Sequence, residues 1–457
     1  MSVTSPPVPA TAPDLFGHPR GLAYLFATEM WERFSYYGMR ALLTLYLVKY
    51  LFLPERADTV IGYAQLKGAY ELLFGPLGPQ PFASHVYGDY TALVYFTPIL
   101  GGLLADRVLG QRRTVLLGAS LMAVGHFMMA FERLMFFALL ILILGNGAFK
   151  PNISTQVGAL YQPGDPRRDR AFSIFYVGIN LGAFFSPLVC GTLAVAFGWH
   201  YGFGAAGVGM LIGLGIYIWA SPLLPPDELE RQRAQPRHPL TPQERRRFGA
   251  LMILIVPVTL FWATYEQQGN TIALWAEDHT IRTFDIGMLR GEIPAQWFQS
   301  FNPFLIFAFT PFIVTLWAWQ SRRGREPTTV NKMAIGCFGV AAANMVLALA
   351  ATWAGGDAKV SWLWLAGYFV IITIGELYLS PTGLSLVTKV APARYLSMTM
   401  GLWLLTNFFG NFIAGWLGSL WTDMAKSAFF LMIAAIAAAA AFVIFACSRA
   451  LRSALPE

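Results

Sequence analysis

The stretch EMWERFSYYGMRALL, residues 29–43, decides how the chain is read, because it sets two Glu, two Arg and two Tyr within a long apolar run. At about 100° per residue, positions 29, 32, 33, 36, 37 and 40 fall near 0°, 300°, 40°, 340°, 80° and 20°, on one side of a helix. A charge at mid-membrane costs roughly 2.5–3.5 kcal/mol on insertion scales, so such residues are functional candidates by default. Glu29, Glu32, Arg33 and Arg40, with Tyr36 and Tyr37, therefore read as the wall of a polar cavity. The structural alternative is a ladder of pairs, Glu29 with Arg33 and Glu32 with Tyr36.

The rest of the chain makes the membrane reading general. Of its 457 residues, 56% are hydrophobic and 12% charged, against about 25% charged in an ordinary soluble domain. Spans of roughly 20 apolar residues are expected near 21–49, 86–106, 112–131, 134–160, 171–196, 203–221, 248–267, 297–319, 331–353, 361–387, 396–420 and 426–447. With the N-terminus inside, 21 of the 32 Lys and Arg lie on the cytoplasmic side and 8 on the outer side. The positive-inside rule then puts both termini in the cytoplasm of a multi-pass inner (plasma) membrane protein. The net charge of +7 is explained by that bias, which removes nucleic acid as a partner. Cys190, Cys337 and Cys447 are isolated in apolar helices, without the spacing of a metal site or disulfide framework. Residues 1–20 form a Pro-rich cytoplasmic tail without signal-peptide features, and the first span is read as an uncleaved insertion signal.

Six spans, residues 21–221, precede a polar linker at 222–247, and six follow at 248–447, before a short tail at 448–457. Two six-helix bundles suggest an all-α carrier of the major facilitator superfamily fold, with its site near the bilayer midplane between the bundles. The loop GGLLADRVLGQRR, residues 101–113, is similar to the Gly-x-x-x-Asp-Arg loop of that superfamily. In it Asp106, Arg107 and Arg112 read as a conformation-dependent latch, framed by glycines that allow close approach, with an ordinary basic loop capped by Asp106 as the alternative. Outer loops at 54–85 and 268–296 are long enough to hold short helices.

Further charges lie in other spans: Lys150 in GNGAFKPNIS, Glu266 in FWATYEQQGN and Glu376 in GELYLSPTG. The seven in-span charges counted sum to minus one, so one carboxylate lacks a partner, as a proton carrier requires. All the bases lie in the first half, while Glu266 and Glu376 lie in the second. Ion pairs between halves that form in one access state and break in the other follow from this, with local helix-kink chemistry as the alternative. Tyr95, Trp262 and Trp403 lie within spans, as core packing or as a permissive aromatic wall. Asn180 and Asn302 are amides suited to an amide ligand or to interhelical hydrogen bonds. His126 reads as structural.

EMWERFSYYGMRALL resembles the Glu-x-x-Glu-Arg-Phe signature of the proton-dependent oligopeptide transporter family. FKPNIS (149–154), FSIFYVGINLGAFFSP (172–187), FWATYEQQG (261–269), NPFLIFAFTPF (302–312) and GELYLSPTGLS (375–385) are similar to family segments, in the expected order. The resemblance implies a symporter of di- and tripeptides with protons, working by alternating access as a monomer, with no cofactor besides the proton gradient. It implies that Glu29, Glu32, Arg33 and Lys150 couple protons. It implies that Arg40 and Lys150 attract the peptide carboxylate, that Glu376 with Asn302 holds its amine, and that Asn180 meets its backbone. Tyr37, Tyr95, Trp262 and Trp403 would line side-chain pockets, with Tyr36 on the same polar wall. Arg40 with Glu266 would form the outer gate, and Lys150 with Glu376 the inner one.

Two departures from the family qualify this. The linker is too short for the extra hairpin of many bacterial members, so twelve spans rather than fourteen are expected. The functional histidine of animal members has no counterpart in 86–106, which leaves the proton to carboxylates. A relative carrying nitrate or another anion is the nearest alternative, although Glu376 provides an amine partner that nitrate does not need. An intramembrane enzyme finds no nucleophile pair, metal cluster or cofactor loop.

Overall fold

A computed structural model describes residues 15–162, 165–226, 241–286, 289–355, 358–391 and 396–452. The expected tails, the linker and the basic residues Arg231, Arg233, Arg237 and Arg394 fall partly or wholly outside them. The helices are α1 Arg20–Tyr46, α2 Pro54–Ala57, α3 Tyr63–Phe74, α4 Pro79–Leu104, α5 Gln111–Met128, α6 Met135–Ala159, α7 Arg167–Phe197 and α8 Trp199–Ala220. After the linker come α9 Pro242–Tyr265, α10 Thr271–Asp278, α11 Phe301–Arg322, α12 Thr329–Ala354, α13 Trp362–Val390, α14 Leu396–Ser419 and α15 Lys426–Arg452. The short helices α2, α3 and α10 occupy the long loops at 54–85 and 268–296.

Nine helices among the described residues are long and apolar enough to cross a membrane. The first is not among them, because Glu29, Glu32 and Arg33 fall within every 18-residue stretch of α1. Side chains such as Val256, Phe312, Trp353 and Phe442 stand exposed on the flanks, as expected where lipid rather than water is the neighbour.

Local chemistry sets the helix ends. Thr241 and Glu244 make a reciprocal capping box ahead of α9, with Pro242 at its first position. Gly110, at φ +80°, turns the chain between α4 and α5, and Gly198, at φ +109°, turns it between α7 and α8. Four short strands lie between helices as well. β1 Thr280–Ile281 pairs in parallel with β4 Val360–Ser361, and β2 Thr283–Ile286 pairs antiparallel with β3 Leu289–Glu292. Strands of two to four residues leave no periodic trace in a sequence, so the all-α expectation holds for the membrane region and not for these loops.

Two apolar cores form, one from residues between Leu22 and Leu224, the other from residues between Ala250 and Ile444 joined by Leu45. Within the first half, α4 crosses α6 where Gly101 lies against the Gly147 carbonyl and Gly147 against Thr97. The contact is close enough to leave no space for a Cβ at either position.

The second membrane helix begins at Pro79 rather than near 86, which brings His85 into it. The expectation that this span lacks a histidine is thereby corrected. His85 is buried, its ring stacked 4.4 Å from that of Phe74 on α3, and its Nε2 has no hydrogen-bond partner among the described residues. One turn further along, Asp89 accepts from the Tyr70 hydroxyl of α3. It is an in-span carboxylate that the count of seven leaves out.

Gly101→Leu is expected to destabilise the fold by about 1–3 kcal/mol through overpacking. Gly102→Leu, where a Cβ meets nothing within 4 Å, should leave stability nearly unchanged. Thermal unfolding of the two purified variants in detergent makes the comparison.

Candidate functional site

The charged face of α1 is held by close helix approach. Gly182 of α7 lies against the backbone of Met30 and Phe34, where a Cβ would meet Arg33 Cβ at 3.0 Å, and Gly213 of α8 lies where a Cβ would meet the Thr28 carbonyl at 3.3 Å. Glu29, Glu32 and Arg33 are consequently almost wholly buried. Arg33 Nε lies 3.2 Å from Glu29 Oε1. The same guanidinium forks onto Glu32, through Nε to Oε2 and through Nη2 to Oε1 at 2.7 Å. Asn146 Nδ2 of α6 also donates to Glu32 Oε1, at 3.3 Å. Arg33 stands 5.2 Å above the Tyr36 ring, so the ladder alternative holds for Glu29 with Arg33 and fails for Glu32 with Tyr36.

One turn on, Arg40 crosses to the second half. It forms an ion pair with Glu266, which sits on the 3₁₀ turn Glu266–Gly269 that follows α9, and donates through Nε to the Tyr87 hydroxyl at 2.7 Å. Gly269 faces that hydroxyl so closely that no side chain fits there. Neighbouring bonds join the halves at the same end of the molecule. Thr44 donates to the Gly269 carbonyl at 2.8 Å, Ser84 to Asn270 Oδ1 at 2.9 Å and Ser300 to the Phe184 carbonyl at 2.7 Å. Gln80 reaches the Gly418 carbonyl at 3.0 Å, and Lys49 pairs with Asp278 at 2.6 Å. This end is closed.

The other expected gate pair is not formed. Lys150 Nζ lies 4.4 Å from the centre of the Tyr95 ring and makes no ion pair among the described residues. Glu376 Oε2 accepts from the Tyr265 hydroxyl at 2.6 Å and from Asn302 Nδ2 at 2.8 Å, with no cation paired to it among the described residues. Asn302 also reaches Thr373 at 3.1 Å.

Between the halves lies a cavity of about 220 Å³. Tyr37, Arg40, Tyr95, Asn180, Trp262, Glu266, Asn302 and Glu376 line it, each singled out by the sequence. Tyr36 and Trp403 do not. The first is in the core of the first half and the second in that of the second half, over Gly383. Glu29, Glu32, Arg33 and Lys150 lie outside the lining as well. Tyr176, Tyr265, Gln268, Gln299 and Ser380 are lining residues that sequence reasoning missed. Tyr176 sits four residues before Asn180 on one helix face, and Tyr265 immediately precedes Glu266, so both carried a positional signal. Gln299 comes from the turn ahead of α11 and donates to the Gln268 carbonyl, and nothing in its surroundings marked it. Asn180 spends its amide on the Tyr176 carbonyl at 3.0 Å.

At the opposite end from the closed contacts, Asp106 and Arg107 sit exposed on the π-helical turn Ala105–Leu109. Arg112 donates to the carbonyls of Ser221 and Leu224, tying the start of α5 to the end of α8.

The sequence pattern of the POT family matches residues 112–232 and 233–436. The chain belongs to the POT family. It is 34% identical to peptide transporter YePEPT of Yersinia enterocolitica subsp. palearctica, over 88% of each chain. It is 33% identical to a di-/tripeptide transporter of Lactococcus lactis subsp. cremoris, over 87% of this chain and 88% of that one. A crystal structure of a peptide transporter POT in complex with sulfate superposes with a TM-score of 0.81 at 32% identity, covering 97% of each chain. Like other POT members the chain is a membrane transporter with a major-facilitator-type fold, and not an enzyme.

Arg40→Ala leaves Glu266 buried without its cation and is expected to cost about 3–5 kcal/mol. Replacing Glu266 by Ala as well should recover most of that loss, as denaturant unfolding of the single and double variants would show.

Proposed function

We propose that the chain imports di- and tripeptides together with protons by alternating access. The observation that carries the reading is a cavity between the halves that holds Glu376 and Arg40 on facing helices, with Lys150 behind its Tyr95 wall. Every short peptide has one ammonium and one carboxylate at nearly fixed separation, and charge-assisted hydrogen bonds to both ends are strong in a dry cavity. Glu376, already oriented by Tyr265 and Asn302, suits the amine. Arg40 and Lys150 suit the carboxylate. The aromatic and amide lining leaves the variable side chains loosely specified. The names of the two bacterial relatives support the substrate class, and sulfate in the solved relative supports an anion site. A carrier of nitrate alone has no use for Glu376.

The same reading takes twelve spans in two bundles, at 21–221 and 248–447, with both termini on the cytoplasmic side of the inner membrane and the protein acting as a monomer. The closed end is then the outer one, held by Arg40 and Glu266, and the unformed Lys150–Glu376 pair belongs to the inner gate. A peptide carboxylate competes with Glu266 for Arg40, and protonation within the Glu29–Glu32–Arg33 cluster frees a cation. Each biases the access equilibrium by its differential affinity for the two states. No resident cofactor enters this mechanism.

Purified protein in liposomes is expected to take up labelled dialanine when the interior is alkaline. No uptake of several dipeptides by intact protein sinks the proposal. Glu376→Gln should weaken peptide binding. Glu32→Gln should abolish gradient-driven uptake while leaving counterflow exchange measurable, and equal loss of both activities contradicts a proton-specific role for the cluster.

A further inference from the structure

The two carboxylates of α1 are not equivalent. Glu32 accepts twice from Arg33 and a third time from Asn146 Nδ2 at 3.3 Å. Among the described residues, Glu29 meets only Arg33 Nε, 3.2 Å from its Oε1, and its Oε2 is buried with no hydrogen-bond partner. Donors aimed at a carboxylate favour its charged form, whereas a buried oxygen without a donor favours the neutral acid. Two acids share one guanidinium here, and only Glu32 is forked onto it. Asn146 adds a further donor to that same acid.

We propose that Asn146 is a positioning residue whose amide keeps Glu32 charged on Arg33, so that the transported proton rides on Oε2 of Glu29. The inference rests on the proton-coupled reading above and names the atom that reading leaves open. The groups facing Glu29 are Arg33 and Glu32 on its own helix and Lys150 of α6, which lies within electrostatic reach of both acids. Tyr90 of α4 is within reach of Glu32 and Arg33. The α7 and α8 helices meet this stretch through Gly178, Gly182 and Gly213, which add no charge. Asn146 Oδ1 is buried without a partner among the described residues as well, an acceptor left open beside Glu32. The proton arrives from water on one side, forms an O–H bond at Oε2, and is released to water on the other side; no other bond changes.

Infrared difference spectra of the reconstituted protein read the proton's seat directly, because Glu→Asp moves the C=O band of whichever acid holds it. Glu29→Asp is expected to shift the protonated-carboxyl band, and Glu32→Asp to leave it in place. In an Asn146→Ala background the proton becomes shared, so Glu32→Asp should then shift the band too. Asn146→Ser takes the place of the alanine variant if that one does not fold. A band moved by Glu32→Asp with Asn146 intact, or unmoved by it after Asn146 is replaced, overturns the assignment. Dialanine uptake indifferent to the proton gradient overturns the proton-coupled reading itself. Gradient-driven uptake combined with either adverse band result overturns only the role of Asn146.

Discussion

A hydrocarbon interior gives an isolated charge nothing to bind, and the arrangement of this protein's helices follows from how each buried charge is answered. Arg33 is answered twice over by carboxylates on its own helix, and Arg40 by Glu266 from the other half. Glu376 is met by a phenol and an amide, and Lys150 by an aromatic face. Neutral donors and ring quadrupoles compensate a charge less completely than an opposite charge does. The ammonium and the carboxylate left without an ion pair among the described residues lie on helices of opposite halves.

Packing makes that arrangement possible. The α1 cluster is shielded because α7 and α8 approach it through glycine, so that backbone rather than side chain lies against Arg33 and Thr28. The Arg40–Tyr87–Glu266 junction depends in the same way on Gly269 offering no side chain beside the Tyr87 hydroxyl. Small residues place the charges, and the charges fix how the halves meet.

Much of this was legible because a charge in an apolar run is expensive wherever it falls. That single rule located Glu29, Glu32, Arg33, Arg40, Lys150, Glu266 and Glu376; the placement of bases in one half and two acids in the other allowed ion pairs between halves, and the family resemblance supplied the pairing of Arg40 with Glu266. Asp89 obeyed the same rule and was as visible as the others, but its partner Tyr70 comes from a short loop helix that no periodicity announced. Aromatic residues were less readable, because Tyr36 and Trp403 have the same membrane chemistry as Tyr37 and Trp262 and differ only in which way the helix turns them. Gln268 and Gln299 were hidden for a different reason. They line the cavity from turns outside regular helix, where spacing implies nothing about facing.

The closed end of the molecule has a consequence for leakage. A carrier open at both ends for even a moment is a pore, and a pore dissipates the gradient that drives it. Most bonds across this end run between neutral groups, such as Thr44 to Gly269 and Ser300 to Phe184, and hydrogen bonds of that kind are indifferent to the acidity of the surroundings. Such contacts keep their strength whatever the pH on either side. Arg40 with Glu266 is a charged pair within this end, away from the exposed rim, and under the function proposed above it is a contact that a charged cargo addresses.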